Sequence, residues 1–280
     1  MTSNGSPLAD SAAGSLVSVT VTRAVNAIPY ARIVISDGDM ATQEFPISDS
    51  AQLVPGAVIV ISAGYANTTT PIFTGVVMRH GLKISGKNYS RLVIECRDKA
   101  TALTVGRKNA NYIDKKDSDI IETLFSAVSV PATATATDVV HKEIVQYYCT
   151  DWDFALSRAD ANGMLVIVTD GKAKVAPPDA SSSPVLSVTY GMDLIEFEAD
   201  IDARTQLASA QAVAWDPSSQ TALQGSSAAP VALNEQGNLT QATLASVLNI
   251  GTYRMQTAAP LAAGELRSWA QAQQVKAGLA

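Results

Sequence analysis

Histidine, cysteine and charged side chains are scarce in this sequence. Its 280 residues include two histidines and two cysteines, and only 16% of them are charged. A zinc site needs several histidine or cysteine ligands at short spacings, and neither His80 nor His141 has such neighbours. Cys96 and Cys149 lie far apart in apolar, strand-like stretches, so we predict two reduced, buried thiols rather than a redox pair.

Clusters of basic residues and long apolar runs are also missing. The net charge of −6 and the pI near 4.9 argue against nucleic-acid binding, because phosphate contacts need grouped lysine or arginine. No stretch approaches the roughly 20 apolar residues of a spanning helix, and the N-terminus lacks the basic start and apolar core of a secretory signal. We therefore expect no membrane contact in this segment and synthesis in the cytoplasm.

The motifs of common catalytic sites are missing as well. No nucleophile elbow, phosphate-binding loop or dinucleotide-binding glycine pattern follows a predicted strand. Asp37 and Asp39 flank a glycine, as in a turn, and Asp151 and Asp153 suit the start of a helix better than a calcium loop. We predict that the chain is not an enzyme and that it has no catalytic, cofactor-binding or metal-binding residues.

An acidic run near residue 200 allows three interpretations. Its four carboxylates alternate along a predicted strand and so share one face of it, which suits either solvent or a complementary basic subunit. The third interpretation is a cell-envelope carbohydrate-binding or hydrolytic domain that also uses exposed aromatic residues. A glycosidase needs carboxyls on opposite sides of one sugar, which a single strand does not provide. The residues concerned are Glu196, Glu198, Asp200 and Asp202, with Tyr147, Tyr148 and Trp215 as the aromatic residues.

Apolar residues make up 47% of the chain, and their spacing in its first part predicts β-strands. Residues 1–15 are rich in serine, glycine and alanine, which predicts a flexible lead-in. Residues 16–97 alternate apolar and polar positions between short turns, which predicts five or six strands. We interpret residues 16–105 as a first, antiparallel β-barrel domain that ends in one helical turn.

Residues 106–178 are predicted to form a small α/β insert domain. Apolar residues recur at helical spacing over residues 117–128, after an acidic start. A second helix is predicted over residues 151–163, followed by a hairpin that turns at an Asp-Gly pair. Trp152 and Phe154, in this second helix, are expected to be buried packing anchors.

Residues 179–280 are predicted to form a second, partial β-barrel domain. It consists of strands, a long surface excursion and a C-terminal helix. Its strand pair at residues 194–216 resembles the pair at residues 72–98, which hints at two related β-modules. The predicted fold is mainly β, of the α+β class, with two β-barrel modules flanking the α/β insert. The predicted strands are residues 184–190, 193–202 and 205–216, with the excursion over 223–245 and a helix that begins near Thr240.

Several stretches resemble those of a known family. The segment TDWDFALSRADANG at residues 150–163 resembles the Asp-Trp-Asp-Phe block of VgrG-type spike proteins and of phage tail hub proteins related to late control protein D. IFTGVVMRHG resembles their "FxGxV" strand, RDKA the end of their first barrel, and VTRAVNAIPYARIVISDGD their early hairpin. GRKNANYIDKKDSDIIE and HKEIVQYYCTDWDF look most like the spike proteins of extracellular contractile injection systems.

The resemblance implies a structural hub of the spike complex in a contractile injection system. Such hubs are homotrimers without enzyme activity in this part, and their doubled barrels adapt a threefold spike to a sixfold tail tube. The implied partners are a second and third copy of the chain, the hexameric inner tube protein, baseplate proteins and a spike-tip protein. The implied location is a particle assembled in the cytoplasm and then released or delivered outside the cell.

The sequence departs from this family at both ends. Many relatives have a further strand pair before the equivalent of Leu16, where this chain has only its serine- and alanine-rich lead-in. Relatives also continue past the equivalent of Ala280 with strands that finish the second barrel, so the second barrel is expected to be incomplete here.

Overall fold

The computed structural model describes residues 1–65, 68–86, 89–179, 183–184, 186–230, 238–259 and 261–279. Strands take up 41% of the chain and helices 23%, which confirms the mainly β class. The strands are β1 (Thr2–Ser3), β2 (Ser6–Pro7), β3 (Leu16–Thr22), β4 (Tyr30–Ser36), β5 (Val58–Tyr65), β6 (Thr68–Ser85), β7 (Tyr89–Arg97), β8 (Lys108–Lys116), β9 (Ala132–Ala134), β10 (Val140–Cys149), β11 (Leu165–Thr169), β12 (Lys172–Ala176), β13 (Ser209–Asp216), β14 (Thr221–Gln224) and β15 (Thr252–Thr257). The helices are α1 (Asp10–Gly14), α2 (Asp117–Ser126), α3 (Asp151–Ala161), α4 (Gln241–Leu248) and α5 (Ala263–Leu279), with short 3-10 helices at Lys99–Thr104 and Ala203–Thr205.

The chain divides into two compact units. The first unit contains Met1–Ala134, Lys142–Leu156 and Val166–Val175, and the second contains Thr135–His141, Ser157–Leu165 and Ala176–Ala280. The sequence suggested a different division, into residues 1–15, 16–105, 106–178 and 179–280. Those domain boundaries stay a prediction.

A seven-stranded antiparallel sheet forms the main part of the first unit, in the order β2-β1-β5-β6-β7-β4-β3. Side chains alternate between its two faces, as the period-two pattern predicts. Ile33 of β4 pairs with Ile94 of β7, and both are fully buried together with Leu92 and Cys96. The core of the unit therefore lies on the face that these residues share.

The seven-stranded sheet is open, although the sequence suggested a barrel. The order of strands ends at β2 on one side and at β3 on the other, and no closed barrel occurs among the described residues. Strand β2 has two residues, and one of them is Pro7, which has no backbone N–H to donate to a further strand.

Residues 1–15 are not the flexible lead-in that the sequence predicted. Strand β1 pairs with both β2 and β5, and Leu8 and Ala12 are buried in the core of the sheet. The side-chain oxygen of Asn4 also accepts a hydrogen bond from the Val58 N–H at 2.9 Å. This segment thus supplies a strand pair before Leu16. The resemblance to spike proteins had suggested that such a pair is missing here.

The local predictions for residues 117–176 are confirmed. Helix α2 buries Ile120, Ile121, Leu124 and Phe125 along one side. Helix α3 begins after Thr150, whose Oγ1 accepts from the Asp153 N–H at 3.0 Å. The hairpin of β11 and β12 turns at Asp170 and Gly171, which have the positive φ values of 50° and 75° that a type I′ turn requires.

A three-stranded sheet and the C-terminal helix form the core of the second unit. Strand β13 pairs antiparallel with β14 and parallel with β15. Helix α5 packs on this sheet through Leu266 and Ala270, which contact Ala212, Ala214 and Met255 in one apolar cluster. The predicted helices near Thr240 and at the C-terminus are both confirmed, and Thr240 caps α4 by accepting from the Thr243 N–H.

The strands predicted over residues 184–190 and 193–202 are wrong for the described residues. The structure shows only an isolated bridge between Tyr190 and Leu194, followed by irregular backbone up to the 3-10 helix at Ala203. Residue 185 lies outside the described residues, as do residues 231–237 of the predicted excursion. The period-two pattern of this stretch is real, but no strand among the described residues pairs with it.

Candidate interaction surface

The two histidines do not form a metal centre, and the described residues contain no group of three or more histidine, cysteine or acidic side chains suited to one. In the first unit, His80 Nδ1 lies 3.0 Å from the Leu53 carbonyl oxygen. In the second unit, the buried His141 has Nδ1 3.0 Å from Glu265 Oε1. Each imidazole ring therefore makes a polar contact within its own unit.

Asp37 organises a loop. Its Oδ2 accepts from the Ser48 N–H at 2.7 Å and the Ser48 hydroxyl at 2.6 Å, and its Oδ1 accepts from the N–H groups of Gly38 and Ile47. Burial alone raises the pKa of this carboxyl, but the hydrogen bonds from Ser48, Ile47 and Gly38 outweigh it and hold the pKa below its usual value. The interpretation of Asp37 as a turn residue is thus confirmed.

The sequence offers Thr150 and Asp151 as caps of this helix, and Asp151 has a different role. Thr150 is the cap, and the buried Asp151 accepts from Gln146 Nε2 at 2.9 Å and from Lys108 Nζ at 2.5 Å. Lys108 belongs to β8 and Gln146 to β10, so one carboxylate joins both strands to the start of α3. The motif that contains Asp151 therefore serves local architecture.

The two thiols are free, as expected, but they differ in burial. Cys96 is fully buried in the core of the sheet, and burial raises the pKa of its thiol to about 12. Cys149 is half-buried at the end of β10. The prediction of two fully buried thiols is therefore confirmed only for Cys96.

The predicted acidic face separates into a paired carboxylate and an unpaired stretch. Asp202 caps the 3-10 helix and binds the Arg204 guanidinium, whose hydrogen bonds lower the pKa of Asp202 to about 2. Glu196, Glu198 and Asp200 are exposed and have no partner among the described residues. None of the three lines either of the two clefts formed by the described residues, whereas a glycosidase needs two carboxyls flanking one sugar site.

The aromatic residues proposed for sugar binding lie in both units. Tyr147 and Tyr148 belong to β10 in the first unit, where the Arg107 guanidinium lies 5.2 Å from the Tyr148 ring centroid. Trp215 belongs to β13 in the second unit and is about half exposed. Within the first unit, Tyr147 and Tyr148 are therefore separate from the carboxylates of the acidic run, which belong to the second unit.

Large apolar side chains alternate with the unpaired carboxylates. Ile195 is 101% exposed and Phe197 is 76% exposed, and Ile201 continues the pattern. Within the described part of the chain, no hydrogen bond is made to the backbone of residues 195–201. We call residues 193–201 the acidic segment. A run of exposed apolar residues with free backbone groups is typical of a surface that another strand covers.

Strands β8 and β10 form a two-stranded sheet, which we call the basic ribbon. Its inner side is fixed in the first unit, because the Tyr112 ring stacks on Phe154 with centroids 5.7 Å apart. Ile113 is exposed on β8, and three lysines of the ribbon have no ion-pair partner among the described residues. These lysines are Lys115, Lys116 and Lys142.

Sequence reasoning identified the acidic segment but missed the basic ribbon. The available signal was the contrast between the run Lys115-Lys116 and the alternating carboxylates Glu196, Glu198 and Asp200. The structure adds the fact that both stretches lack partners within the described residues. The acidic segment belongs to the second unit, and β8 of the basic ribbon belongs to the first.

Two clefts contain no catalytic constellation within the described residues. The cleft in the first unit has a volume of about 650 Å³ and is lined by the loop around Asp37 and the end of the β6–β7 hairpin. The cleft in the second unit has a volume of about 560 Å³ and is lined by α5 and by loops around residues 137, 163 and 227. Asp37 is the group in these linings whose pKa is clearly shifted, and its hydrogen bonds explain the shift.

The fold is similar to those of several solved phage tail proteins. The 43 kDa tail protein of prophage MuSo2 from Shewanella oneidensis superimposes with a TM-score of 0.59 and 12% identity, over 92% of this chain and 74% of its own. A tail protein from Neisseria meningitidis gives 0.55 and 13%, over 90% and 69% of the two chains. Prophage tail protein gp18 from Listeria monocytogenes gives 0.50 and 10%, over 91% and 69%. The chain therefore has the fold of phage tail proteins.

The family follows from the sequence itself. The model of the Alg8 N-terminal domain matches residues 1–280, so this chain belongs to the Alg8 N-terminal domain family. None of the curated proteins matches the sequence. In the described residues, no helix has both the length and the apolar character needed to cross a membrane.

Proposed function

We propose that this chain is a non-enzymatic structural hub of the spike complex in a contractile injection system. The observation that carries the proposal is the tail-protein fold, which extends over about nine-tenths of the chain in three solved structures. The motif residues that resemble VgrG-type spike proteins are consistent with this role. Trp152 and Phe154 of the Asp-Trp-Asp-Phe block are buried packing residues, and Asp151 is engaged by Lys108 and Gln146.

A second motif also has a packing role. In the "FxGxV" strand, Phe73 and Val77 are buried, and an added Cβ at Gly75 would lie 2.7 Å from the Arg97 carbonyl oxygen. Asp98 of the RDKA motif accepts from the Ala100 and Gly171 N–H groups at 3.0 and 2.8 Å. These contacts hold the sheet, the 3-10 helix and the hairpin turn together. The similarity to spike proteins thus rests on residues that shape the fold, which favours a structural function.

In this proposal, three copies form a ring that docks on the hexameric inner tube protein and connects to baseplate and spike-tip proteins. A cyclic trimer needs surfaces that remain unpaired within one copy. Residues 195–201 of the acidic segment and the outer edge of β8 in the basic ribbon, neither of which pairs with a strand among the described residues, are surfaces of that kind. The particle is assembled in the cytoplasm and acts outside the producing cell.

Co-purification with the tube protein tests this function. The chain and the tube protein of the same particle are expressed together, and native mass spectrometry counts the copies in each complex. We expect three copies of the chain bound to one ring of six tube subunits. A chain that leaves the tube protein unbound in both co-expression and mixing would overturn the proposal.

A further inference from the structure

We propose that the acidic segment of one copy adds as a strand to the free edge of β8 in the basic ribbon of a neighbouring copy. The inference rests on the proposed trimeric hub and names the contact between its copies. In such strand addition, backbone hydrogen bonds extend the sheet, and alternate side chains provide the specificity.

The acidic segment has the pattern of a strand but lacks the partner. Ile195, Phe197 and Ile201 alternate with Glu196, Glu198 and Asp200, so an extended conformation would place the apolar and acidic side chains on opposite faces. Residues 195–201, the part of the segment without backbone hydrogen bonds, are long enough to pair along most of β8, which has nine residues. Over residues 195–201 its apolar side chains are exposed, and the backbone makes no hydrogen bond within the described residues.

The basic ribbon has the complementary features. A two-stranded sheet leaves one edge of each strand free for a further strand. Lys115 and Lys116 of β8 and Lys142 of β10 have no ion-pair partner among the described residues and outnumber Asp114 and Glu143, the two carboxylates of the same strands. Ile113 provides exposed apolar surface. Opposite charges on neighbouring strands stabilise the pairing and fix its register.

The other described sheet edges fit the acidic segment less well. Strand β3 has no charged residue, and β2 is two residues long and contains Pro7. Strands β9, β11 and β14 have no charge, and β15 carries Arg254 as its single charged residue. The basic ribbon is therefore the edge whose charge matches that of the acidic segment.

A second copy of this chain is the occupant that the charges favour, because each copy carries one acidic segment and one basic ribbon. The contact is heterologous, since the segment of one copy meets the ribbon of the next. Contacts of this type close into a ring when the rotation between copies divides a full turn. A ring of three is the closed form that the proposed hub requires.

Charge reversal on each side of the contact provides the test. One variant carries Glu196→Lys and Glu198→Lys, a second carries Lys115→Glu and Lys116→Glu, and a third combines all four changes. A matched control carries Lys172→Glu and Lys174→Glu, which are exposed on β12 of the same unit as the ribbon. Sedimentation equilibrium at low and high salt measures the trimer dissociation constant of each protein, and circular dichroism confirms its folding.

We expect each double reversal to weaken the trimer at least tenfold at low salt, and the combined variant to return to within about threefold of wild type. The loss should shrink at high salt, because screening reduces charge interactions. The control should assemble as the wild type does. Equal assembly of all variants, or no rescue in the combined variant, would overturn the contact.

The same proteins separate this inference from the function on which it rests. If the wild type forms a trimer that binds the tube protein and the charge reversals have no effect, the hub function is supported and the proposed contact is overturned. A wild-type chain that is monomeric at all concentrations, with and without the tube protein, overturns both. Reversals that change the stability of a monomer but not assembly would show that the segment pairs within its own chain, which also overturns the contact.

Discussion

The indole of Trp152 stands edge-on against the ring of Phe125, with their centroids 6.1 Å apart and their planes at 70°. Edge-to-face packing is one of the favoured geometries of aromatic pairs. The contact joins the first turn of α3 to the buried side of α2. It therefore explains why an aromatic residue follows the acidic start of α3.

Replacing Trp152 with alanine should lower the free energy of unfolding by about 3 to 5 kcal/mol, because the side chain is only 7% exposed and a cavity would remain. Urea denaturation followed by circular dichroism measures the change. Tyr147→Ala is the control, since Tyr147 is 81% exposed, and its effect should stay within about 0.5 kcal/mol. Equal effects of the two substitutions would show that Trp152 is not an anchor.

Glycine at position 75 is required by its close neighbours. A Cβ added there would lie 2.5 Å from the Phe73 ring and 2.7 Å from the Arg97 carbonyl oxygen, so Gly75→Ala should destabilise the protein by about 1 to 3 kcal/mol. Gly81→Ala is a matched control in the same strand, because its added Cβ meets only the Val93 carbonyl oxygen, at 3.8 Å. Thermal unfolding compares the two variants. A lower melting temperature for Gly81→Ala than for Gly75→Ala would contradict this account of the motif.

Asp37 should make stability depend on pH. Its pKa is lower in the folded protein than the ordinary value of 3.8, so the carboxylate stabilises the fold above that value. This stabilisation is lost as the pH falls through the folded pKa. In Asp37→Asn the amide N–H₂ group would face the donors of Ser48 or those of Gly38 and Ile47, which should cost about 1 to 3 kcal/mol near neutral pH.

Urea unfolding from about pH 7 to about pH 2.5 measures this dependence. The difference between wild type and Asp37→Asn should be largest near neutral pH and shrink below about pH 4. Asp39→Asn, an exposed neighbour in the same loop, serves as the control and should follow the wild-type curve more closely. A difference that stays constant over this range would show that the Asp37 charge does not stabilise the fold.

The two thiols should react at different rates. Burial raises the pKa of Cys96 to about 12, so little thiolate is present at about pH 8, and reagents cannot reach the sulfur in the native core. Cys149 is half-buried and should react first with a disulfide reagent, whereas Cys96 should react only on unfolding. The variant Cys149→Ser should lose the fast phase, and Cys96→Ser should keep it. A fast phase in Cys149→Ser would contradict the burial of Cys96.

The elements that could be predicted from the sequence are those whose signals are local. Helix α3 combines a Thr150 cap, helical spacing and a glycine stop, and its hairpin has the residues that a tight turn needs. The alternation of β4 and β7 likewise predicted which side chains are buried. In each case the residues that determine the structure are close together in the sequence.

The elements that could not be predicted depend on distant partners. Strand β1 exists because Thr2 and Ser3 pair with Val60 and Ile59, which the composition of residues 1–15 does not reveal. The strand predicted over residues 193–202 is wrong for the opposite reason. Its residues alternate as in a strand, but no described strand pairs with them. At the candidate surface, the acidic stripe was predictable from its spacing, whereas the unpaired state of Lys115 and Lys116 was visible only in the structure.

Cryo-electron microscopy of the assembled particle tests the central claim most directly. The particle is purified from cells that carry a small tag on this chain, and its end is reconstructed without imposed symmetry. We expect three copies in a ring at the end of the tail tube, with threefold density next to the first sixfold ring of tube protein. Density for the chain elsewhere in the particle, or a ring without threefold symmetry, would contradict it.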